Sequence, residues 1–306
     1  MNTNSSLRVL LIGATGYIGG AVGRALEAAG HTVVPLAREA PEGGRTEPAR
    51  RDAVIGDLTD TTSLRAAVTP DIDAVVHAGA PLGDWAADTD AVTALLDRMR
   101  PDGAFVYVSG TWVLGPSTGG DLLDEDSPAH PISIVAGREA VEHAVLTSSA
   151  RGAVVRAGVV HGRGGGIPRL MVDWAREHGH GRFVAASVAP SWAVVHVEDL
   201  ADLVVLAVGR APGGTVLHAV AETSVPVVQI SRAADDAAGG AGRAVPWRVG
   251  DASAALGPAF AEALALNQHV SGARARRIGW RPTRPTLLDD LREGSYAARP
   301  SVARPA

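Results

Sequence analysis

Neither cysteine nor lysine occurs anywhere in the 306 residues, so all 28 basic side chains are arginine. The missing thiols exclude disulfides, a thiolate nucleophile and thiolate metal sites together. The missing amines exclude a Schiff-base lysine, a P-loop lysine and a lysine acting as base. Aromatic residues make up only 4% of the chain, and the tyrosines are three: Tyr17, Tyr107 and Tyr296. No apolar run approaches the ~20 residues that cross a bilayer. The opening stretch, Met1-Asn-Thr-Asn-Ser-Ser-Leu-Arg8, also lacks the basic start and apolar segment of a secretory signal. The expectation is a cytoplasmic protein with no membrane partner. A net charge of −5 without a basic stripe argues against a nucleic-acid partner.

What is present alternates between strand and helix. Leu7–Ile12 is a short continuous apolar run that ends in glycine, the pattern of a strand buried on both faces. Helical spacing follows over Gly16–Ala29, then strands at His31–Leu36, Ala53–Leu58, Asp73–His77, Ala104–Ser109 and Ala153–Arg156. Helices are expected between them over 61–68, Asp84–Arg100 and Gly137–Ser148, and residues 39–52 read as a surface loop. Units of about thirty residues in this order predict an α/β fold with a doubly wound parallel sheet of the Rossmann type. Beyond residue 160 the rhythm loosens. His161–Pro168 reads as a flexible loop, 167–178 as a helix, and Val194–Ala201 as a strand turning into a helix that Glu198 or Asp199 caps. A strand at Thr215–Val220, a helix over 226–238, a strand over 244–249 and helices beyond 250 follow. The expected organisation is a dinucleotide domain over 1–160, a mainly C-terminal substrate lobe over 161–296 and a disordered tail over 297–306.

The first strand runs into Gly13-Ala-Thr15-Gly16-Tyr17-Ile18-Gly19 and then into the first helix. Glycines here permit a tight turn and let the backbone approach a pyrophosphate, whose charge the helix N-terminus stabilises. Position makes the motif informative, since it joins the first strand to the first helix of a βαβ series. Proteins that use NAD place an acidic residue at the end of the second strand for the ribose hydroxyls. Here that strand ends Pro35-Leu36-Ala37-Arg38, and an arginine suits a 2′-phosphate, so the expected cofactor is NADP(H) rather than NAD(H). Asp57 and Leu58 are placed to meet the adenine, and Ala78, Gly79 and Ala80 to lie over the cofactor.

Seven segments in order resemble the extended short-chain dehydrogenase/reductase family, the epimerase/dehydratase-like group. They are Gly13-Ala-Thr-Gly-Tyr-Ile-Gly-Gly, Gly56-Asp-Leu, Val76-His-Ala-Gly-Ala, Val108-Ser-Gly-Thr-Trp-Val-Leu-Gly, Val155-Arg-Ala-Gly-Val-Val-His-Gly, Val195-His-Val-Glu-Asp-Leu-Ala and Ala275-Arg-Arg-Ile-Gly-Trp-Arg-Pro. The resemblance spans residues 7–296 and implies a Tyr-x-x-x-Lys pair on the helix after the fifth strand. Set on that motif, the chain has Ile134 in the tyrosine's place and Arg138 in the lysine's, with Glu142 where the family often has a glutamate. No other register restores the pair, because no tyrosine has a lysine or an arginine four residues on. The chain is thus an atypical member by resemblance. Dimers are common in the family, which leaves a homodimer as a candidate assembly.

The family's serine or threonine falls at Gly110 or Thr111, and Thr111 can offer a hydroxyl to a substrate oxygen. Arg138 can hold the nicotinamide ribose but is a poor base, its pKa staying above about 12. The proton must then come from water or from another titrating side chain. His161, at the carboxyl edge of the sheet, is the candidate, with His196 in the turn beside the same pocket, His130 in a loop that can reach it, and His77 a packed residue below the cofactor. His178 and His180 have no third ligand near them, so no metal is expected. Trp85, Trp112 and Trp192 fall where loops should border the pocket, which suggests an apolar small-molecule substrate. The expected function is an NADPH-dependent reductase of a carbonyl or conjugated double bond. The alternatives are a non-redox isomerase, cyclase or dehydratase that keeps a structural nucleotide, and a nucleotide-sensing regulatory protein.

Overall fold

The computed structural model describes residues 6–39, 53–186 and 189–297. The expected loop over 39–52 and the tail over 297–306 therefore lie almost wholly outside the described residues. In chain order the elements are β1 (Arg8–Ile12), α1 (Tyr17–Ala28), β2 (Thr32–Ala37), β3 (Val54–Ile55), α2 (Thr61–Ala67), β4 (Ala74–His77), α3 (Trp85–Leu96) and β5 (Ala104–Gly110). Then come α4 (Arg138–Leu146), β6 (Arg151–Ala157), β7 (Val159–His161), α5 (Gly166–His178), β8 (Gly181–Ala185), β9 (Ser191–His196) and α6 (Val197–Arg210). The chain continues through β10 (Thr215–Ala219), β11 (Glu222–Pro226), α7 (Val227–Ala237), β12 (Ala244–Arg248), α8 (Val249–Leu256), α9 (Pro258–Ala265), α10 (Ala273–Arg277) and α11 (Leu287–Glu293).

The seven strands of the main sheet are all parallel and run in the order β10-β6-β5-β4-β1-β2-β3. The strand order reverses between β1 and β4, and in sheets of this kind ligands bind outside the carboxyl ends of the strands at that point. The runs LLI, AVVH and FVYVS are buried on both faces, which explains why they read as continuous rather than alternating. One core fills the α1–α6 side of the sheet around Leu11, Val106, Leu200 and Leu203, and another fills the α2–α3–α4 side around Leu10, Phe105 and Leu95.

A three-stranded sheet, β11-β9-β7, and a pair, β12-β8, surround a further core with Trp192, Ile230 and Trp247. Two expectations change here. The loop expected at 161–168 is shortened at both ends: His161 closes β7, paired with His196 of β9, and α5 begins at Gly166. The cap of α6 is His196, whose Nδ1 accepts the Glu198 N–H at 3.2 Å, because the extended residue before the helix is the one facing its free amides. Asp199 instead accepts the backbone N–H groups of Thr283 and Arg284 and so pins the closing segment to α6. Among the described residues, no helix is long and apolar enough to cross a membrane.

Candidate active site

Sequence places three glycines at the switch point, and the packing shows what each is for. Gly13 has φ +81°, and a Cβ there would lie 2.7 Å from the carbonyl of Ala78 and from Gly79, the turn that follows β4. A Cβ on Gly19 would lie 2.0 Å from the Gly13 oxygen. Gly16 donates its N–H to that oxygen at 2.9 Å and opens α1 without any side-chain cap. The first amides of α1 thus face outward unpartnered by side chains, an anion site of the kind a pyrophosphate fills. Thr15 is exposed at the tip of the turn, and Ile18 lies on the partly buried side.

Tyr17 departs from expectation. Its hydroxyl donates to the Gly162 carbonyl at 2.8 Å, and its ring lies where a Cβ on Gly165 would be, 2.5 Å away. Only its backbone N–H is left for a cofactor. Tyr296 completes this lock by accepting from Gly162 N at 2.8 Å and donating to Gly165 O at 2.6 Å. Burial pushes both phenols well above the usual tyrosine range, so they act as neutral hydrogen-bonding groups.

Arg38 is exposed at the end of β2. Hydrogen bonds from the Thr59 N–H and hydroxyl, both 2.8 Å, hold the Asp57 carboxyl below the usual carboxylate range, with the Arg38 guanidinium adding to the effect. Leu58 lies 3.7 Å from where a Cβ on Gly79 would be, next to the Gly13 turn, and Arg38 acts on Asp57 just before it.

Arg138 is the first residue of α4, with its guanidinium 5.3 Å from the centre of the Trp85 ring. Its Nε is buried and has no hydrogen-bond partner. Trp85 lies flush on Gly137, where a Cβ would be 2.3 Å from the ring, so only glycine lets Trp85 and Arg138 stack. Gly110, in the serine's place, faces Arg138 Nη1. Below lie two groups that sequence reading gave no chemical role. Tyr107 is raised in pKa chiefly by burial, against the opposing Arg138 charge, and His77 meets it edge-on at 5.5 Å. Burial lowers His77 to about 4, and its Nδ1 has no partner.

That shift sets a pH dependence. Between about pH 6.5 and 4 the unfolded chain takes up a proton that folded His77 refuses, so stability falls as pH falls, by about 1.4 kcal/mol per pH unit. His218, buried beside Arg156 and lowered to about 3, adds a slope of the same sign. Urea unfolding is expected to give the same free energy at pH 7.5 and 8.5 and a much smaller one at pH 5.0. Equal values at 7.5 and 5.0 would contradict the burial argument.

Several expected site residues are turned to other uses. Thr111 is buried and donates its hydroxyl to Gln268 Oε1 at 3.0 Å, while Gln268 Nε2 bonds the carbonyls of Thr111 and Gly115 at 2.8 and 2.7 Å. Its proton is committed to fixing the turn after β5 and is not free for a substrate oxygen. His161 is 1% exposed, with Nδ1 3.3 Å from Asp290 Oδ2, so it is shielded rather than poised as a donor. His196 packs against it edge-on at 5.1 Å. His161, His196 and Asp290 bring ligand-type atoms within 4.8 Å of one another. Asp290 is already bonded by Ser295 N and Oγ, however, and an Nδ1 that accepts an amide hydrogen leaves His196 its proton on Nε2. Both histidines line a cavity of about 370 Å³ together with Glu222, Arg276, Arg281 and Arg284, with no contribution from the glycine turn or α4. Trp192 lies in strand β9, buried in the core away from Trp85 and Trp112, because strand alternation points it inward. Trp85, Trp112 and Ile134 do pack on one apolar cluster, as does Phe260 of α9.

Sequence reading also left unassigned a buried ion pair behind the site. Arg156 on β6 bonds both oxygens of Glu142 on α4, at 2.6 to 3.2 Å, and Ser109 donates to the same carboxylate at 2.5 Å. Glu142 stands four residues after Arg138, so the pair fixes the rotation of the helix that carries it.

The geometry has counterparts among known proteins. A model of the NAD dependent epimerase/dehydratase family matches residues 9–220. An uncharacterized protein of Saccharomyces cerevisiae is 30% identical over 94% of this chain and 98% of its own length. The 3-diazoavenalumate denitrifying reductase of a Streptomyces species is 28% identical over 93% of this chain and 99% of its own. In structure, the human epimerase family protein SDR39U1, crystallised with NADPH, superposes with a TM-score of 0.74 at 26% identity, covering 94% of this chain and 99% of that one. The chain belongs to the NAD(P)-binding epimerase/dehydratase family of extended short-chain dehydrogenases/reductases.

Proposed function

We propose that the chain is an NADPH-dependent reductase that delivers hydride to a carbonyl or conjugated double bond of a small, rather apolar molecule. The buried, unpartnered Nε of Arg138 carries this reading. A guanidinium held at the lysine's place with an unused donor suits the hydroxyls of a nicotinamide ribose, which would satisfy a group otherwise costly to bury. The bare amides of α1 suit the pyrophosphate, and exposed Arg38 suits a 2′-phosphate. Bound NADPH would supply the hydride; the chain's residues would orient it and shield it from water. The NADPH in the SDR39U1 crystal and the reductase activity named for the Streptomyces relative support the same reading.

Titration of NADPH and NADH, followed by tryptophan fluorescence, tests it. NADPH is expected to bind the more tightly by about tenfold or more, and Arg38→Ala to remove most of the difference, as befits a charge-assisted phosphate contact. Arg138→Ala is expected to lower turnover about tenfold or more, the worth of a buried charged hydrogen bond. If neither nucleotide binds, or Arg138→Ala turns over normally, the reading fails. Turnover without NADPH consumption would favour a non-redox reaction instead.

A further inference from the structure

Reduction of a neutral carbonyl or enone ends with a proton on the product. Around Arg138 the groups set on the family's motif hold no proton they can hand over. Ile134 and Gly110 have none to give. The Thr111 proton is held by Gln268 and the Ser109 proton by Glu142, and Arg138 keeps its own. His161, bonded to Asp290, and His196 line a separate cavity to which neither the glycine turn nor α4 contributes.

The cleft does have an aromatic and acidic wall. The 3-10 turn Ser133–Val135 rests on α9, and Phe260 of that helix packs on the same apolar cluster as Ile134, Trp112 and Trp85. On the same helix, exposed Glu262 accepts the N–H of Ser133 at 3.2 Å and also its hydroxyl, which sets a carboxylate next to the tyrosine's place. Aromatic faces with a carboxylate at their rim recognise cations.

We infer that the hydride acceptor is a flat organic cation of the iminium type, seated against Trp112 and Phe260 with Glu262 at its rim. The inference rests on the reductase reading. The electrophilic carbon gains one hydrogen with its electron pair as one C–H bond of the reduced nicotinamide breaks. The acceptor's positive charge is neutralised, the nicotinamide becomes the cation, and no proton enters or leaves. An iminium thus removes the need for the missing acid, and the same wall that lacks an acid is built for positive charge.

The probes are N-methyl-3,4-dihydroisoquinolinium and the near-isosteric neutral ketone 1-tetralone. With NADPH, kcat/KM for the cation, corrected for the rate without protein, is expected to exceed that for the ketone by about tenfold or more. Deuterium from 4-deuterated NADPH should appear in the product, and none from heavy water. Without any nucleotide, fluorescence titration should show Glu262→Gln weakening the cation about tenfold while tetralone binding stays unchanged. Ser133→Ala, which leaves the carboxylate in place, should keep cation binding. A ketone reduced as fast as the cation, or cation binding indifferent to Glu262→Gln, overturns the inference. If NADPH itself does not bind, the reductase reading falls with it; if NADPH binds and the cation is not preferred, only the cationic acceptor falls.

Discussion

Replacing Glu142 with alanine is expected to lower the free energy of unfolding by about 3–5 kcal/mol. The Glu142 and Arg156 side chains are 3% and 9% exposed, and two guanidinium nitrogens meet the two carboxylate oxygens. Removing the acid strands a buried positive charge on β6 and leaves the Ser109 hydroxyl without its acceptor. The loss comes from that stranded charge and not from the worth of the pair, so the double replacement Glu142→Leu with Arg156→Met is expected to cost far less than either single change. Urea unfolding of the three variants separates the two. A single variant within about 1 kcal/mol of the parent would show that water or a neighbouring group already compensates Arg156.

Gly19→Ala is expected to cripple nucleotide binding. Its added methyl would lie 2.0 Å from a backbone oxygen of Gly13, an atom with nothing flexible to yield. Relief requires α1 to move from the glycine turn, at about 1–3 kcal/mol of overpacking strain, and that displaces the amides that face the pyrophosphate. NADPH affinity should fall about 10- to 100-fold. Gly20→Ala is the control: its new carbon meets its nearest neighbours at 3.5 and 3.6 Å, ordinary contact, and alanine gains helix propensity. A Gly20 variant should bind normally and be slightly more stable. Equal affinities for the two variants would mean that the turn does not shape the site.

The glycine turn and the alternation of strands and helices were readable because they depend on local chemistry. Gly13, Gly16 and Gly19 sit between an apolar run and a helical pattern, and that arrangement has few uses. The residues that proved misleading share another property. Thr111, His161, Tyr17 and Trp192 all have chemistry suited to a site, and each is used by a partner more than 75 positions away or by a distant core. Gln268 takes the Thr111 proton, Asp290 takes His161, Gly162 takes Tyr17, and β9 turns Trp192 inward. No local pattern carries such pairings, since a hydrogen bond between distant positions leaves no spacing to read.

By itself, then, the amino-acid sequence determined the parallel sheet, the place of the glycine turn, and the loss of the Tyr-x-x-x-Lys chemistry, which no fold could restore to a chain without lysine. These follow from periodicity and composition, which are properties of neighbours and of counts. Tertiary structure alone decided which polar groups are free. Packing α4 against β6 joined Glu142 to Arg156, and packing α9 against the 3-10 turn put Phe260 on the same apolar cluster as Ile134 and bonded Glu262 to Ser133. The same packing left the Arg138 Nε without a partner. Buried polar groups take whatever partner the fold brings within about 3 Å, so the reactive surface is what remains after that pairing.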